Sequence, residues 1–341
     1  MENHNRSSTF SHLDPNLHRA EWISFIASHP ESTPFHDLGF LELMQSVPGS
    51  NAQAFIERRL SDNAIISAVV VTLQAERGIK RWLSSRAVVY AGPLWTEASD
   101  VHGFLSYLDQ AFSRKAIYIE FRNFMNLSGF HNEFIANKYE FIPYLNYVLK
   151  LENRSMEDIV GKMNYNRRRE IRLSFEQGAT VAEAESDSEI QMGYEILKDL
   201  YVNRVKLPLP DLSFFLEMVK KSIGRVLIVK HAGQVIGASF CLFNRNGIYT
   251  WYYCGKRDYH KKIFPTHLAI MGTIEFGLRH GLKSLDFMGA GLKGQEYGVR
   301  KYKEEFAGDL VEFGRYRKVY SPLLYRIGVW AIQQMQKVKK K

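Results

Sequence analysis

Ser284 to Gly308 reads SLDFMGAGLKGQEYGVRKYKEEFAG. Its centre, Gly289 to Gly294, is a literal G-x-G-x-x-G behind a run that predicts a strand. A dinucleotide site needs such a loop to close the first strand of a unit and open a helix, with an acidic residue about 20 positions on. Here the loop comes late in the chain, and Gln295-Glu296-Tyr297-Gly298 follows in place of an apolar helix. The next strand, around LVEFGRY, leads into a closing helix and not into another βαβ unit. The glycines therefore read as a tight turn at a strand end. The sequence also lacks G-x-x-x-x-G-K-[ST], H-E-x-x-H and G-x-S-x-G, so P-loop, zincin and hydrolase-elbow chemistry have no support.

Working outward, GRVLIVKHAGQVIGASFCLFNRNGIYTWYYCG predicts three antiparallel strands with turns at HAGQ and NRNG. PTHLAIMGTIEFGLRHG predicts a helix with Pro265 at its start and Gly281 past its end. MEDIVGKMNYNRRREIRLSFEQG reads as a helix ending at Gly178, and Asp211 as the N-cap of DLSFFLEMVKKSI. In the first half, NLHRAEWISFIASHP and FHDLGFLELMQSV predict helices, the former with Trp22, Phe25 and Ile26 inward. NAIISAVVVTLQA and SRAVVYAGPLW are strands joined by ERGIK, and AIYIEFRN and EFIPYLNYVLKLE are two more. Each half thus repeats a meander, a helix, a strand, an irregular piece and a final strand. The fold class expected is mixed α/β (α+β), an internal duplication of one unit. The divisions are a polar leader over 1–16, a first domain over 17–152 and a second over 153–341.

The chain has 341 residues and 45% hydrophobic content, ample for a packed core. No apolar run is long enough to span a bilayer, and the polar start lacks a signal-peptide core, so a soluble cytoplasmic protein is expected. Two cysteines, Cys241 and Cys254, are too few for a disulfide framework or a cysteine zinc site and read as buried thiols. His260 and His267 have no third ligand at metal spacing, so no metal is expected. Residues 1–150 carry 13 Lys or Arg against 15 Asp or Glu, whereas residues 151–341 carry 32 against 21. The second half should therefore attract an anion: a nucleic acid, a phosphate-bearing substrate or a membrane surface.

Two segments, NYNRRREIRLSFEQGATV (residues 164–181) and FMGAGLKGQEYGVRKYKEEFAGDLVEFGRY (residues 287–316), resemble the Fem-type peptidoglycan aminoacyltransferases and their Fem-like relatives in the GNAT superfamily. That family shows a basic helix, a strand ending D-F-x-G, and a Y-G-x-x-K-F/Y-K-x-x-F-G-G stretch. The resemblance implies two tandem GNAT-like domains, each a mixed, mostly antiparallel sheet flanked by helices. It implies an acyltransferase that forms an amide on an amine of a cell-wall, polysaccharide or lipid-linked acceptor. The donor is then aminoacyl-tRNA or acyl-CoA, with no tightly bound cofactor and no DNA partner. This sequence departs from the pattern at Phe306-Ala307-Gly308, and at Glu120, where Fem enzymes have Asp-Pro. The loop KRDYHKKIF lacks the glycines of a CoA pyrophosphate loop, although Lys256, Arg257, Lys261 and Lys262 offer side-chain cations. A CoA-dependent N-acetyltransferase acting on a sugar or lipid amine is the alternative enzyme. A protein that binds anionic glycolipid or RNA is the alternative outside enzymes.

The resemblance makes Lys303 the lysine that neutralises a donor phosphate or a developing oxyanion, against a solvated helix-face lysine beside Glu304 and Glu305. Asp286 and Glu120 are the other catalytic candidates; a cap and an edge-strand residue are their structural readings. Arg168 and Arg172 share a helix face and are candidates for phosphate capture, against a solvated face pairing with Glu170 and Glu176. Of Tyr252 and Tyr253 only one can face a site, and the resemblance favours a tyrosine here near the acceptor. Tyr297, Arg300 and Tyr302 complete the substrate-binding set. The last helix carries Leu323, Leu324, Ile327, Val329, Trp330 and Ile332 before KVKKK. Packing on the second domain is the commoner outcome for such a helix, with peripheral contact at the inner membrane face as the other reading; a membrane-linked acceptor would make both true.

Overall fold

The computed structural model describes residues 7–76 and 81–338, and these form two compact units. The first unit opens with β1 (Ser8–Leu13), α1 (Arg19–Ser28), α2 (Leu38–Ser46), β2 (Ser50–Arg59) and β3 (Ile65–Gln74). It continues through α3 (Arg81–Ser84), β4 (Arg86–Ala91), β5 (Leu94–Trp95) and α4 (Val101–Phe112). β6 (Tyr118–Asn123), α5 (His131–Ala136) and β7 (Glu140–Ile142) follow. Trp22 and Ile26 of α1 are buried, as the periodicity predicts, and join Phe35, Phe40, Phe104 and Phe121 in the core.

The second unit is Tyr144–Glu312. It holds β8 (Tyr144–Lys150), α6 (Met156–Lys162), α7 (Tyr165–Glu176), β9 (Thr180–Glu183) and α8 (Asp187–Leu200). Then come α9 (Leu212–Lys220), β10 (Gly224–His231), β11 (Gln234–Phe243), β12 (Gly247–Gly255) and α10 (Pro265–Arg279). β13 (Ser284–Leu292), α11 (Gly298–Glu304) and β14 (Asp309–Val311) close it. From Phe313 the chain returns to the first unit with β15 (Arg315–Val319) and α12 (Pro322–Val338).

The first sheet runs β1-β2-β3-β4-β6-β15-β7, with β5 beside β3; the second runs β14-β8-β13-β12-β11-β10-β9. Each has one parallel pair, β4 with β6 and β12 with β13. Parallel neighbours need a crossover, and α4 and α10 supply it. The local signals act as read. Pro265 starts α10, Asp211 accepts from the Phe214 amide at the head of α9, and Gly178 and Gly281 take positive φ past their helices.

Two stretches that read as single strands are each two strands in different sheets. EFIPYLNYVLKLE breaks at Pro143, which has no N–H for a central ladder. GDLVEFGRYRKVY breaks before β15 at Gly314, where φ is +69°. The boundary therefore falls at Pro143 and not near residue 152, and the C-terminal piece belongs to the first unit. Alternation marks a strand's faces and carries no information on which sheet the strand joins. The helix read over MEDIVGKMNYNRRREIRLSFEQG is likewise two, because the Asn164 side chain accepts from the Asn166 amide (2.9 Å) and starts α7 afresh. Part of the expected polar leader is the edge strand β1: Ser8 Oγ donates to the buried Glu57 (2.6 Å) and Leu13 is buried. Residues 1–6, residues 77–80 of the expected ERGIK turn and residues 339–341 lie outside the described residues.

Candidate active site

β12 and β13 pair only from Gly247 to Tyr249 and from Ser284 to Asp286. Beyond that point β12 follows β11 and β13 follows β8, so the sheet opens between them. Two irregularities widen the opening. A bulge leaves Trp251 out of the β11 register, and β13 shifts against β8 where Met288 takes φ +63°. Past the bulge, strand alternation sends the neighbouring tyrosines to opposite sides. Tyr252 packs against Tyr201 and Phe215, whereas Tyr253 stacks on Tyr302 with ring centroids 6.1 Å apart.

α11 closes one side of this opening and clamps β13. Lys303 is 4% exposed, and its Nζ donates to the carbonyls of Met288 (3.2 Å) and Gly289 (2.9 Å). Arg300 donates from Nε to the Ala290 carbonyl (2.9 Å) and from Nη2 to the Leu292 carbonyl (2.5 Å). The glycine run thus turns carbonyls toward two cations. A phosphate cradle presents N–H groups instead, so GAGLKG is not one. Its glycines are needed for fit: a Cβ on Gly289 would sit 2.8 Å from the Tyr144 ring, and Gly291 has φ +85° with the Tyr297 ring 3.0 Å from its would-be Cβ.

Asp286 ends the part of β13 that pairs with β12. It accepts from the Met288 amide (2.6 Å) and from Asn146 Nδ2 on β8 (3.2 and 3.0 Å). Burial raises its carboxyl to about 6, against the lowering effect of Asn146. Burial lowers the Lys303 ammonium to about 8, with the charge of Asp286 pulling the other way.

Behind α11 lies Arg167, the buried member of the arginine cluster. Its guanidinium sits over the rings of Tyr302 (4.8 Å) and Phe306 (5.1 Å) and donates to Glu170 (3.1 Å), Glu305 and His267 Nε2. Burial and the neighbouring Arg167 charge lower His267 to about 3, so the ring is neutral. With Nε2 accepting, Nδ1–H donates to the Tyr302 hydroxyl (3.0 Å). Tyr302, Lys303, Glu305 and Phe306 therefore fasten the basic helix on one side and β13 on the other. The two segments that carry the family resemblance meet here.

Residues 161–304 match the family model described as an acetyltransferase (GNAT) domain. The chain carries a Fem-like tandem GNAT fold, and the stretch that matches the GNAT model lies within its second unit. It superposes on the structure of FemX with a TM-score of 0.70 at 14% identity, over 94% of this chain and 99% of that one. A tandem GNAT protein from the clavulanic acid biosynthesis pathway gives 0.59 at 11% identity, covering 92% and 99%. L-PGS from Bacillus licheniformis gives 0.56 at 14%, covering 94% and 96%. None of the curated proteins compared matches the chain. No described helix is long and apolar enough to cross a membrane.

Within this GNAT fold the expected site residues separate. Lys303, Asp286, Tyr253, Tyr297, Arg300 and Tyr302 all belong to β12, β13, α11 or the turn between the last two. The solvated-lysine reading of Lys303 fails, because its side chain is buried under β13. Glu120 is elsewhere, in β6 of the first unit at 2% exposure. It accepts from Arg122 Nε (2.8 Å), Arg315 Nη1 (3.3 Å) and Arg317 Nε (2.9 Å). Burial alone would raise its carboxyl, but the three guanidinium groups hold it at about 2. The catalytic role expected for Glu120 is corrected to a structural one, since so weak a base cannot take an amine proton near neutrality.

Arg168 and Arg172 face outward on α7. Arg168 donates to the Gly161 carbonyl (3.3 Å), and the exposed Arg172 pairs with Glu176 (3.6 Å). The inward arginine, Arg167, was visible in principle: it lies four residues before the buried Ile171, on the apolar face of the helix. Asn146 and His267 had no such signal. Cys241 and Cys254 are buried, and burial pushes both thiols up to about 12. A cavity of about 1120 Å³ lies where β12 ends. Lys256, Arg257 and Arg204 line it with Glu195 and Asp199. Lys303 and Asp286 are not part of its lining.

Proposed function

We propose that the protein transfers an acyl or aminoacyl group from an anionic donor to an amine on a cell-wall, polysaccharide or lipid-linked acceptor. The observation that carries this reading is the opening between β12 and β13, with a buried lysine braced against one rim. Unpaired strand edges can take an extended donor arm by backbone hydrogen bonds. The amine attacks the donor carbonyl carbon and a C–N bond forms. The C–O or C–S bond to the donor then breaks, and the amine's proton passes to the leaving group. An ammonium has three donor hydrogens. Two of those on Lys303 go to Met288 and Gly289, and we assign the third to the oxyanion or the donor phosphate. Asp286, raised toward neutrality, is the group beside Lys303 suited to hold a proton in transit. Tyr253, Tyr297 and Tyr302 line the acceptor side.

Aminoacyl-tRNA offers an ester and acyl-CoA a thioester, and both carry phosphates. The outer arginines Arg168 and Arg172, and the cations Lys256 and Arg257, support either donor through charge. Purified protein offered labelled aminoacyl-tRNA, or labelled acetyl-CoA, over a panel of amine acceptors tests the reading. Product with one donor identifies it, and binding of neither donor would sink the proposal.

A further inference from the structure

Helix α12 has two unlike sides. One lies against α3, and Leu324, Tyr325, Gly328 and Ala331 on it are half-buried. The two helices come close at Gly328, where a Cβ would stand in ordinary contact, 3.8 Å from the Leu83 carbonyl. Tyr325 anchors the helix: its hydroxyl accepts from Arg317 (2.5 Å) and its ring meets Tyr118 edge-on at 5.5 Å. The other side is apolar and open. Leu323 is 70%, Ile327 42% and Trp330 61% exposed. Steps of four and then three residues align them in one stripe along the helix.

Charge completes the pattern. From Phe313 to Lys341 the sequence has no Asp or Glu and eight Lys or Arg. Arg315 and Arg317 serve Glu120, and Lys318 serves Asp109. Arg326 is exposed beside the stripe, and Lys337, Lys339, Lys340 and Lys341 follow it in sequence. An aliphatic stripe, an indole at its edge and then cations match the layers of an anionic bilayer: acyl chains, interface and headgroups. α12 is not long and apolar enough to cross a membrane, so it would lie in the surface plane. We propose that α12 docks the protein on an anionic membrane, with Leu323, Ile327 and Trp330 in the interface and the net positive charge of the segment from Phe313 onward setting the preference for anionic lipid. This does not depend on which donor or acceptor the enzyme uses.

Flotation of the full chain with vesicles tests the docking. Vesicles of phosphatidylcholine with about one-third phosphatidylglycerol should carry the protein up at least tenfold better than phosphatidylcholine alone. The triple variant Leu323→Ser, Ile327→Ser, Trp330→Ser should lose flotation while keeping the wild-type melting temperature and its acyl transfer to a soluble amine. Replacing the four terminal lysines by Gln should abolish the preference for anionic vesicles. Three results would overturn the proposal: no flotation of the wild type, equal flotation of the triple variant, or a concentration-dependent dimer abolished by the triple variant without vesicle binding. The last would make the face a contact between copies of this chain. Flotation without transferase activity would refute the proposed reaction and leave the docking intact.

Discussion

The guanidinium of Arg167 lies 4.8 Å over the ring of Tyr302, and the next residue, Lys303, holds the carbonyls of β13. One short helix therefore couples the basic helix to the rim of the sheet opening. Within KYKEEF, Tyr302, Glu305 and Phe306 meet Arg167, whereas Lys303 alone reaches β13.

Arg167 and Arg168 should differ sharply when each is changed to Ala. Losing Arg167 removes a buried charge partner from Glu170 and Glu305 and should cost roughly 2 kcal/mol or more. Arg168→Ala should stay within about 0.5 kcal/mol, as an outward change does. Urea unfolding measures both; equal losses would contradict the inward assignment of Arg167.

Lys303→Met keeps the stem and removes the charge. Turnover should fall by about a hundredfold or more, the scale of losing one preorganised oxyanion donor. Circular dichroism should show the fold retained. Turnover within about twofold of wild type would remove Lys303 from the chemistry.

The pH responses of activity and stability should diverge above pH 8. Lys303 is lowered from 10.5 to about 8, so between those values the unfolded chain binds the extra proton. This group's contribution to stability therefore rises with pH in that window, while activity falls as the ammonium is lost. Asp286 is raised from 3.8 to about 6, so its contribution to stability declines as pH climbs through that range. Activity profiles and thermal melts from pH 4 to 10 would reveal both; activity still climbing past the lysine transition would count against a charged Lys303.

Glu120→Gln should destabilise the first unit and leave the chemistry in place. The Glu120 carboxyl is depressed from 4.5 to about 2, so its contribution is present above 4.5 and is lost as pH falls through that interval. The variant should therefore show a flatter acid limb in a melting-temperature profile. Loss of kcat with unchanged stability would restore the catalytic role that the structure removes.

Gly291→Ala should destabilise by about 1–2 kcal/mol, because it combines a positive φ with a crowded ring. Gly294, also at positive φ but with open space around its would-be Cβ, should lose less on the same change. Chemical denaturation would separate them, and equal losses would refute the packing argument.

The sequence by itself determined most of the elements and several of their ends. Periodicity marked the buried face of α1, caps, proline and glycines marked the ends of α7, α9 and α10, and the tail after GAGLKG carried the resemblance that the comparisons bear out as a Fem-like GNAT fold. These signals are local, set by φ, capping bonds and side-chain period, and survive without knowledge of neighbours. Only the tertiary structure decided which sheet each strand joins. It sent β8 into the second sheet and β15 back to the first, because pairing partners are chosen by long-range packing. It also decided which charges act. Three arginines claim Glu120, Arg167 turns inward while Arg168 and Arg172 face out, and Lys303 is buried against two carbonyls. Burial and partner charges shift proton affinity, and both depend on what the folded chain brings within a few ångströms.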